Sequence, residues 1–325
     1  MVDFKEIGGY FALELPQSRV SFLHSGGILL NSGRNALEYI LRSISDIRRL
    51  WIPYFTCDVI LEPIIKLEIP YVFYNINEQL EIATDVQLQT GDYLLVTNYW
   101  GIKDTYVDIL SRKYGKQLIV DNAQAFYAVS DMNIKTIYSP RKFVGVPDGG
   151  IAFIDNGLEI DVLEKDVSYE RCSHLLKRMD LGANAGYLDF KKNSHKLANQ
   201  PIRRMSNLTE TILSSVDWEN IRKKRIRNFQ ILHAALSASN NIIIPSIETF
   251  ACPMVYPYLS KSSMLKKKMI NNKIFVATYW PNVLNWCNPM MVEFMLADNL
   301  MAIPIDQRYT QKDMENIINL IKGNV

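Results

Sequence analysis

Gln117-Leu118-Ile119-Val120-Asp121-Asn122-Ala123-Gln124-Ala125 reads as an apolar strand that ends in a carboxylate. A short apolar run closed by polar residues fits a strand buried on both faces, as in a parallel sheet covered by helices. Open sheets of that kind bind ligands outside the carboxyl ends of their strands, and Asp121 stands at such an end. The competing reading is a strand-end aspartate that caps the following turn.

Outward from this strand, short apolar segments at 50–52, 71–76, 93–97, 135–138 and 150–154 alternate with amphipathic stretches at 59–67 and 106–114. The alternation predicts strand-helix-strand units and a mostly parallel sheet from about Asn31 to Ile154. Asn31-Ser32-Gly33-Arg34-Asn35-Ala36-Leu37 opens the first helix, and Leu37, Ile40, Leu41 and Ile44 give it one buried face. The free N–H groups and positive dipole end of such a helix suit a phosphate. A plain helix cap is the alternative.

Tyr138-Ser139-Pro140-Arg141-Lys142-Phe143-Val144-Gly145-Val146-Pro147-Asp148-Gly149-Gly150 surrounds a lysine of particular interest. A lysine that bonds covalently to an aldehyde needs desolvation, a nearby cation and a rigid platform, and these flanks can supply them. Ser139 offers a hydroxyl to a phosphate, while Gly145 and Asp148-Gly149-Gly150 let backbone pass close to a bound ring. A surface loop is the bland alternative, because Ser-x-x-Lys is a short motif. Trp51-Ile52-Pro53-Tyr54-Phe55-Thr56-Cys57-Asp58 brings aromatic residues to the same sheet edge, where a core role is the simpler reading.

The chain is long enough, at 325 residues, for one large core and a smaller one. Its 36 basic and 34 acidic residues leave a formal charge of +2, so no nucleic-acid footprint is expected and a small molecule is the natural partner. Cys57, Cys172, Cys252 and Cys287 show neither Cys-x-x-Cys pairing nor metal-ligand spacing, which predicts reduced thiols, a cytoplasmic protein and no metal site. Residues 1–16 lack a basic start followed by an apolar run, and no stretch reaches spanning length, so neither a signal peptide nor a membrane segment is expected. None of His24, His174, His195 and His233 sits in a recognisable motif.

Beyond Asp155 the pattern loosens through Gln200. A long helix is predicted from about Trp218 to Leu236 with Trp218, Ile221, Phe229 and Leu232 inward, its Arg222-Lys223-Lys224-Arg225 run lying on a solvated face. Lys266-Lys267-Lys268 reads the same way. Strand-like segments at 241–244, 250–256 and 273–277 with a helix-like one at 263–270 predict a small α+β lobe. Thr310 caps the last helix, Asp313 favours its positive end, and Met314, Ile317, Ile318 and Ile321 form its inner stripe.

Taken in order, these segments resemble the fold-type I pyridoxal phosphate-dependent aminotransferases of the DegT-like nucleotide-sugar branch. Ser32-Gly33-Arg34-Asn35-Ala36-Leu37 matches that branch's phosphate turn, Pro53-Tyr54-Phe55-Thr56 its strand end, and Asp121-Asn122-Ala123-Gln124 its Asp-Ala-Ala-Gln segment. Lys142 with Gly145 and Asp148-Gly149-Gly150 matches its lysine segment. The match is strong over the first half; later, only Arg204-Met205 and Ala302-Ile303-Pro304-Ile305 resemble family segments. Three positions depart from the pattern: Arg34 stands where the family has Thr, Cys57 where it has a ring-stacking aromatic, and Ile202 where it has an asparagine directed at the neighbouring subunit. Stacking could then shift to Tyr54, Phe55 or Trp100.

The resemblance implies a three-layer α/β/α large domain over residues 1–205, like that of aspartate aminotransferase, and a smaller C-terminal α+β domain over 206–325. It implies pyridoxal 5'-phosphate as cofactor, with Lys142 as its covalent anchor and proton carrier and Asp121 on the ring nitrogen. Gln124 would face the ring oxygen, while Ser139 and the Ser32-Gly33-Arg34 turn would hold the phosphate. The implied reaction moves an amino group from an amino acid such as glutamate to a nucleotide-linked keto sugar, for polysaccharide or amino-sugar synthesis, in a homodimer. Arg203, Arg204 and Arg308 are candidates for a cationic rim. A sugar dehydratase or other lyase using the same cofactor, or a non-catalytic binding protein on the same fold, are the alternatives.

Overall fold

The central strands are buried at almost every position, and successive residues alternate between two cores, so both faces are covered. Leu50, Ile52, Leu95, Ile119 and Ile137 belong to one core, whereas Leu94, Val96, Leu118, Val120 and Tyr138 belong to the other. Successive side chains on a strand point to opposite faces, so this pattern places the sheet between two helical layers. The computed structural model describes residues 9–16, 22–129, 131, 133–260 and 264–323. Among the predicted elements, Ser263 and residues 1–8 lie outside them.

Seven strands form the sheet: β1 (Ile28–Leu30), β2 (Arg49–Pro53), β3 (Tyr71–Tyr74), β4 (Asp92–Thr97), β5 (Leu118–Asn122), β6 (Lys135–Tyr138) and β7 (Gly150–Phe153). Their order is β1-β7-β6-β5-β4-β2-β3. β2 to β6 run parallel, and β7 runs antiparallel to both of its neighbours. α1 (Gly33–Arg42) and α2 (Leu61–Lys66) cover one face, and α3 (Asp104–Tyr114) lies on the other. The first strand is only three residues long, too short for periodicity to reveal.

The stretch after Asp155 resolves into a hairpin of α4 (Ser173–Leu181) and α5 (Ala183–Lys196), followed by α6 (Asn207–Ser215) and α7 (Trp218–Leu236). Downstream lie the antiparallel pair β8 (Val255–Leu259) and β9 (Leu300–Pro304), with α8 (Met264–Asn271), α9 (Val283–Trp286), α10 (Val292–Asn299) and α11 (Gln311–Lys322). A capping box joins Thr310 and Asp313 at the start of α11. Leu320 is buried beside Met314 and Ile317, while Ile318 and Ile321 are only partly covered.

Four expectations fail, in whole or in part, in the C-terminal half. Residues 241–244 form no strand, because the Asn240 and Asn241 side chains bond to Leu259 at the end of β8 and replace ladder bonds. Residues 273–277 contribute a single bridge, Ala277 to Ala302, and of 250–256 only the last two residues enter β8. Arg225 is not solvated: it is 2 % exposed, donates to the Met254 and Phe143 carbonyls and to Gln307 Oε1, and lies 4.6 Å from the Phe143 ring. Among the described residues no helix is long and apolar enough to cross a membrane, and no group of three His, Cys, Asp or Glu could hold a metal ion.

Candidate active site

Parallel pairing brings Thr97, Asp121 and Ile137 side by side at the carboxyl ends of β4, β5 and β6. All three line a cavity of about 170 Å³. Ser32, Gly33, Arg34, Asp121, Gln124, Ser139 and Lys142 also line it, so the seven candidate residues from three separate segments meet in one place. A larger open cleft of about 600 Å³, between α3 and residues 248–251, contains none of them.

Ser32 is the N-cap of α1, and its hydroxyl accepts from Asn35 N at 3.1 Å and donates to Asn35 Oδ1 at 2.5 Å. The cap reading therefore describes the Ser32 side chain, and the phosphate reading falls to the helix N–H groups and their neighbours. Ser139 faces this helix end: a Cβ on Gly33 would lie 3.8 Å from Ser139 Cβ. The glycines of Asp148-Gly149-Gly150 do not line the cavity. They let β7 approach the start of α1 instead, since Gly149 has φ +119° and a Cβ on Gly150 would collide with the Ser32 carbonyl. Asp148 is fully buried and accepts from Ser206 N, Ser206 Oγ and Thr209 Oγ1.

Asp121 accepts from Ala123 N at 2.8 Å. Burial pushes its carboxyl above the ordinary range, while the Ala123 N–H and the Lys142 ammonium pull it back. Lys142 is exposed at the cavity mouth, with its Nζ 5.8 Å from the Tyr279 ring centre. Gln124 Oε1 accepts from Trp100 N at 3.0 Å, and its Nε2 is buried with no hydrogen-bond partner. Trp100 holds this position at φ +50°, an uncommon conformation for a bulky residue and one that clusters at functional sites.

Arg141 is a lining residue that sequence reasoning passed over. Its guanidinium is lowered to about 10, first by burial and then by the Arg34 charge, and its Nε is buried without a partner. Arg34 pairs with Glu62 at 3.1 Å. Two guanidiniums at one helix N-terminus create a local excess of positive charge that an anion would relieve.

A second cleft of about 570 Å³ shares Arg141 and Lys142 with the first and adds His174, Arg178, Arg225 and Arg308. Gly145 lies here, beside Leu175. Of the three candidate rim arginines only Arg308 lines this cleft, held by Asp306 at 2.6 and 2.8 Å. Arg203 turns toward Glu164 and Gln200, Arg204 bridges β1, and Ile202 packs on the core beneath α1.

The solved structure of DesV from S. venezuelae, in complex with a ketimine intermediate, matches over 91% of this chain and 84% of its own, with TM-score 0.65 and 14% identity. The chain has the fold of these aminotransferases. The putative sugar aminotransferase Spr1654 from Streptococcus pneumoniae, in its PMP form, matches over 91% and 87% with TM-score 0.65 and 13% identity. A DegT DnrJ EryC1 StrS aminotransferase from Brucella abortus matches over 92% and 85% with TM-score 0.60 and 15% identity. No protein-family model and no curated protein matches by sequence. The mostly parallel sheet was legible from the strand pattern, whereas Arg141 had no signal beyond its place beside Lys142.

Proposed function

We propose that this chain is a pyridoxal 5'-phosphate-dependent aminotransferase that moves an amino group from an amino acid, with glutamate the expected donor, to a nucleotide-linked keto sugar. The observation that carries the reading is the meeting of Lys142, Asp121, Gln124, Ser139 and the α1 N-terminus in one cavity at the carboxyl ends of parallel strands. The unsatisfied donors Gln124 Nε2 and Arg141 Nε, together with the cationic helix end, fit an anionic ring ligand.

Lys142 would hold the cofactor's aldehyde, Asp121 its ring nitrogen and Gln124 its ring oxygen. Ser139, Arg34, Arg141 and the α1 N–H groups would hold its phosphate. When bound, the cofactor supplies the electron sink for a carbanion. The protein's own part is to orient, to neutralise charge and to move a proton. Lys142 stands where the cavity meets the second cleft, and is the amine available to carry that proton.

The second cleft, with Arg178 and Arg308, suits an acceptor carrying a diphosphate. Leu176, Met179, Leu181, Tyr187, Leu188 and Phe190 leave an exposed apolar face on the α4–α5 hairpin beside it, which supports a homodimer whose partner covers that face. Four free cysteines favour a cytoplasmic protein, and the product suits polysaccharide or amino-sugar synthesis. We place the division between domains near 205, ahead of α6.

Borohydride reduction followed by mass spectrometry should place a pyridoxyl adduct on Lys142, and glutamate should then aminate a keto sugar nucleotide. Colourless protein that takes up no cofactor would support the binding reading, and release of ammonia or water without transfer would support a lyase.

A further inference from the structure

Among the described residues that line the cavity, one is aromatic, and it comes from the C-terminal lobe. Trp280 reaches it from a loop ahead of α9, while Tyr54, Phe55 and Trp100 do not line it. Phe55 and Trp100 are fully buried, and Tyr54 stacks on Phe73 at 4.5 Å. Cys57, at the strand end, lines the cavity with a thiol that has no flat face to offer.

Trp280 is held in place from several sides. It is 6 % exposed and meets Phe55 edge-on, with ring centres 5.2 Å apart at 71°, and Tyr99 at 6.4 Å. Two residues on, Asn282 Nδ2 donates to the Thr56 carbonyl at 2.9 Å, which ties the loop to the residue before Cys57. Val283 N bonds back to the Trp280 carbonyl, and Val283 is itself fully buried. The loop thus fills the sector of the wall next to Cys57. We propose that the Trp280 indole is the flat surface against which the cofactor ring lies, in place of the side chain at 57. This rests on the cofactor assignment above. It makes cofactor retention a property of both lobes, with the Thr56–Asn282 bond as the tie next to Cys57.

The experiment titrates apo-protein with pyridoxal phosphate and follows affinity together with quenching of indole emission. Trp280→Ala should weaken binding about tenfold, the scale of one aromatic contact. Trp280→Phe should stay within about threefold of wild type, since it keeps a flat face, yet lose a distinct part of the quenching. Cys57→Phe placed in the Trp280→Ala background should recover affinity by returning an aromatic to the strand end. Unchanged affinity in Trp280→Ala, or unchanged quenching in Trp280→Phe, overturns the assignment; if the alanine variant does not fold, the phenylalanine variant decides. Wild-type protein that binds no pyridoxal phosphate overturns the cofactor reading as well, whereas tight wild-type binding matched by both variants overturns the indole wall alone.

Discussion

The Lys142 ammonium and the Asp121 carboxyl line one cavity, the acid from the end of β5 and the lysine from just past β6, and the lysine's charge opposes the burial that raises the acid. Their variants should separate two roles. Lys142→Ala should abolish the borohydride-trapped adduct and remove at least about 10²–10⁴ of the rate, the range for a lost proton-transfer group. Asp121→Asn should still form the adduct but lose about a hundredfold or more in rate, because a buried charge partner of the ring nitrogen is gone. Mass spectrometry and single-turnover amino transfer measure the two effects, and an Asp121→Asn enzyme with wild-type rates contradicts the ring-nitrogen role.

Arg141 should distinguish pyridoxal phosphate from pyridoxal. Its guanidinium lies beside that of Arg34, burial lowers it to about 10, and its Nε is buried without a partner, so a phosphate dianion would relieve that charge. Arg141→Met should weaken binding of the phosphorylated cofactor about tenfold or more while changing pyridoxal affinity little, since charge-assisted bonds contribute about 1.5–3 kcal/mol each. Parallel titrations with the two compounds check this, and equal losses for both would point to a packing role.

Arg308 is fixed by Asp306 and lines the second cleft, so on the proposed function it would meet an acceptor ready-oriented. Arg308→Ala should raise KM for a diphosphate-bearing keto sugar about tenfold and leave KM for the amino acid donor unchanged. Steady-state kinetics with each substrate varied in turn give the answer. Equal changes for both substrates would remove the cleft from acceptor binding.

Where local pattern decided the structure, the sequence was readable. The apolar runs around Ile119 and Ile137 announce the sheet, and Leu37, Ile40 and Leu41 announce α1 by helical period. The place of Asp121 on the cavity was legible because strand ends in such sheets border ligand clefts. Trp280 was not, since nothing local links it to Cys57; only the Asn282–Thr56 bond and the packing on Phe55 bring them together. Arg225 was misread because a basic run suggests a solvated face, whereas its partners are carbonyls far away in sequence, at 143 and 254. Ser32 had two local readings, and the position of Asn35 selects the cap for its side chain.

His24 should set a pH window for stability that is independent of catalysis. Its Nε2 lies 2.6 Å from the Phe126 carbonyl, and its ring packs on Tyr138 at 4.0 Å and Phe126 at 4.7 Å. Burial lowers its pKa from the ordinary 6.5 to about 4, with the Phe126 carbonyl acting in the opposite direction. Between those values the unfolded chain holds a proton that the folded chain lacks, so acid favours unfolding. The contribution is fully present above pH 6.5 and is lost as pH falls toward 4, amounting to about 3 kcal/mol over the window. His24→Gln keeps a donor for the Phe126 carbonyl and does not titrate. Urea unfolding at pH 7.0, 5.5 and 4.5, as about three points spanning the window, should therefore show wild type losing stability faster than the variant. Carboxylates common to both proteins cancel in that difference, and parallel pH profiles would mean that His24 is as easily protonated folded as unfolded.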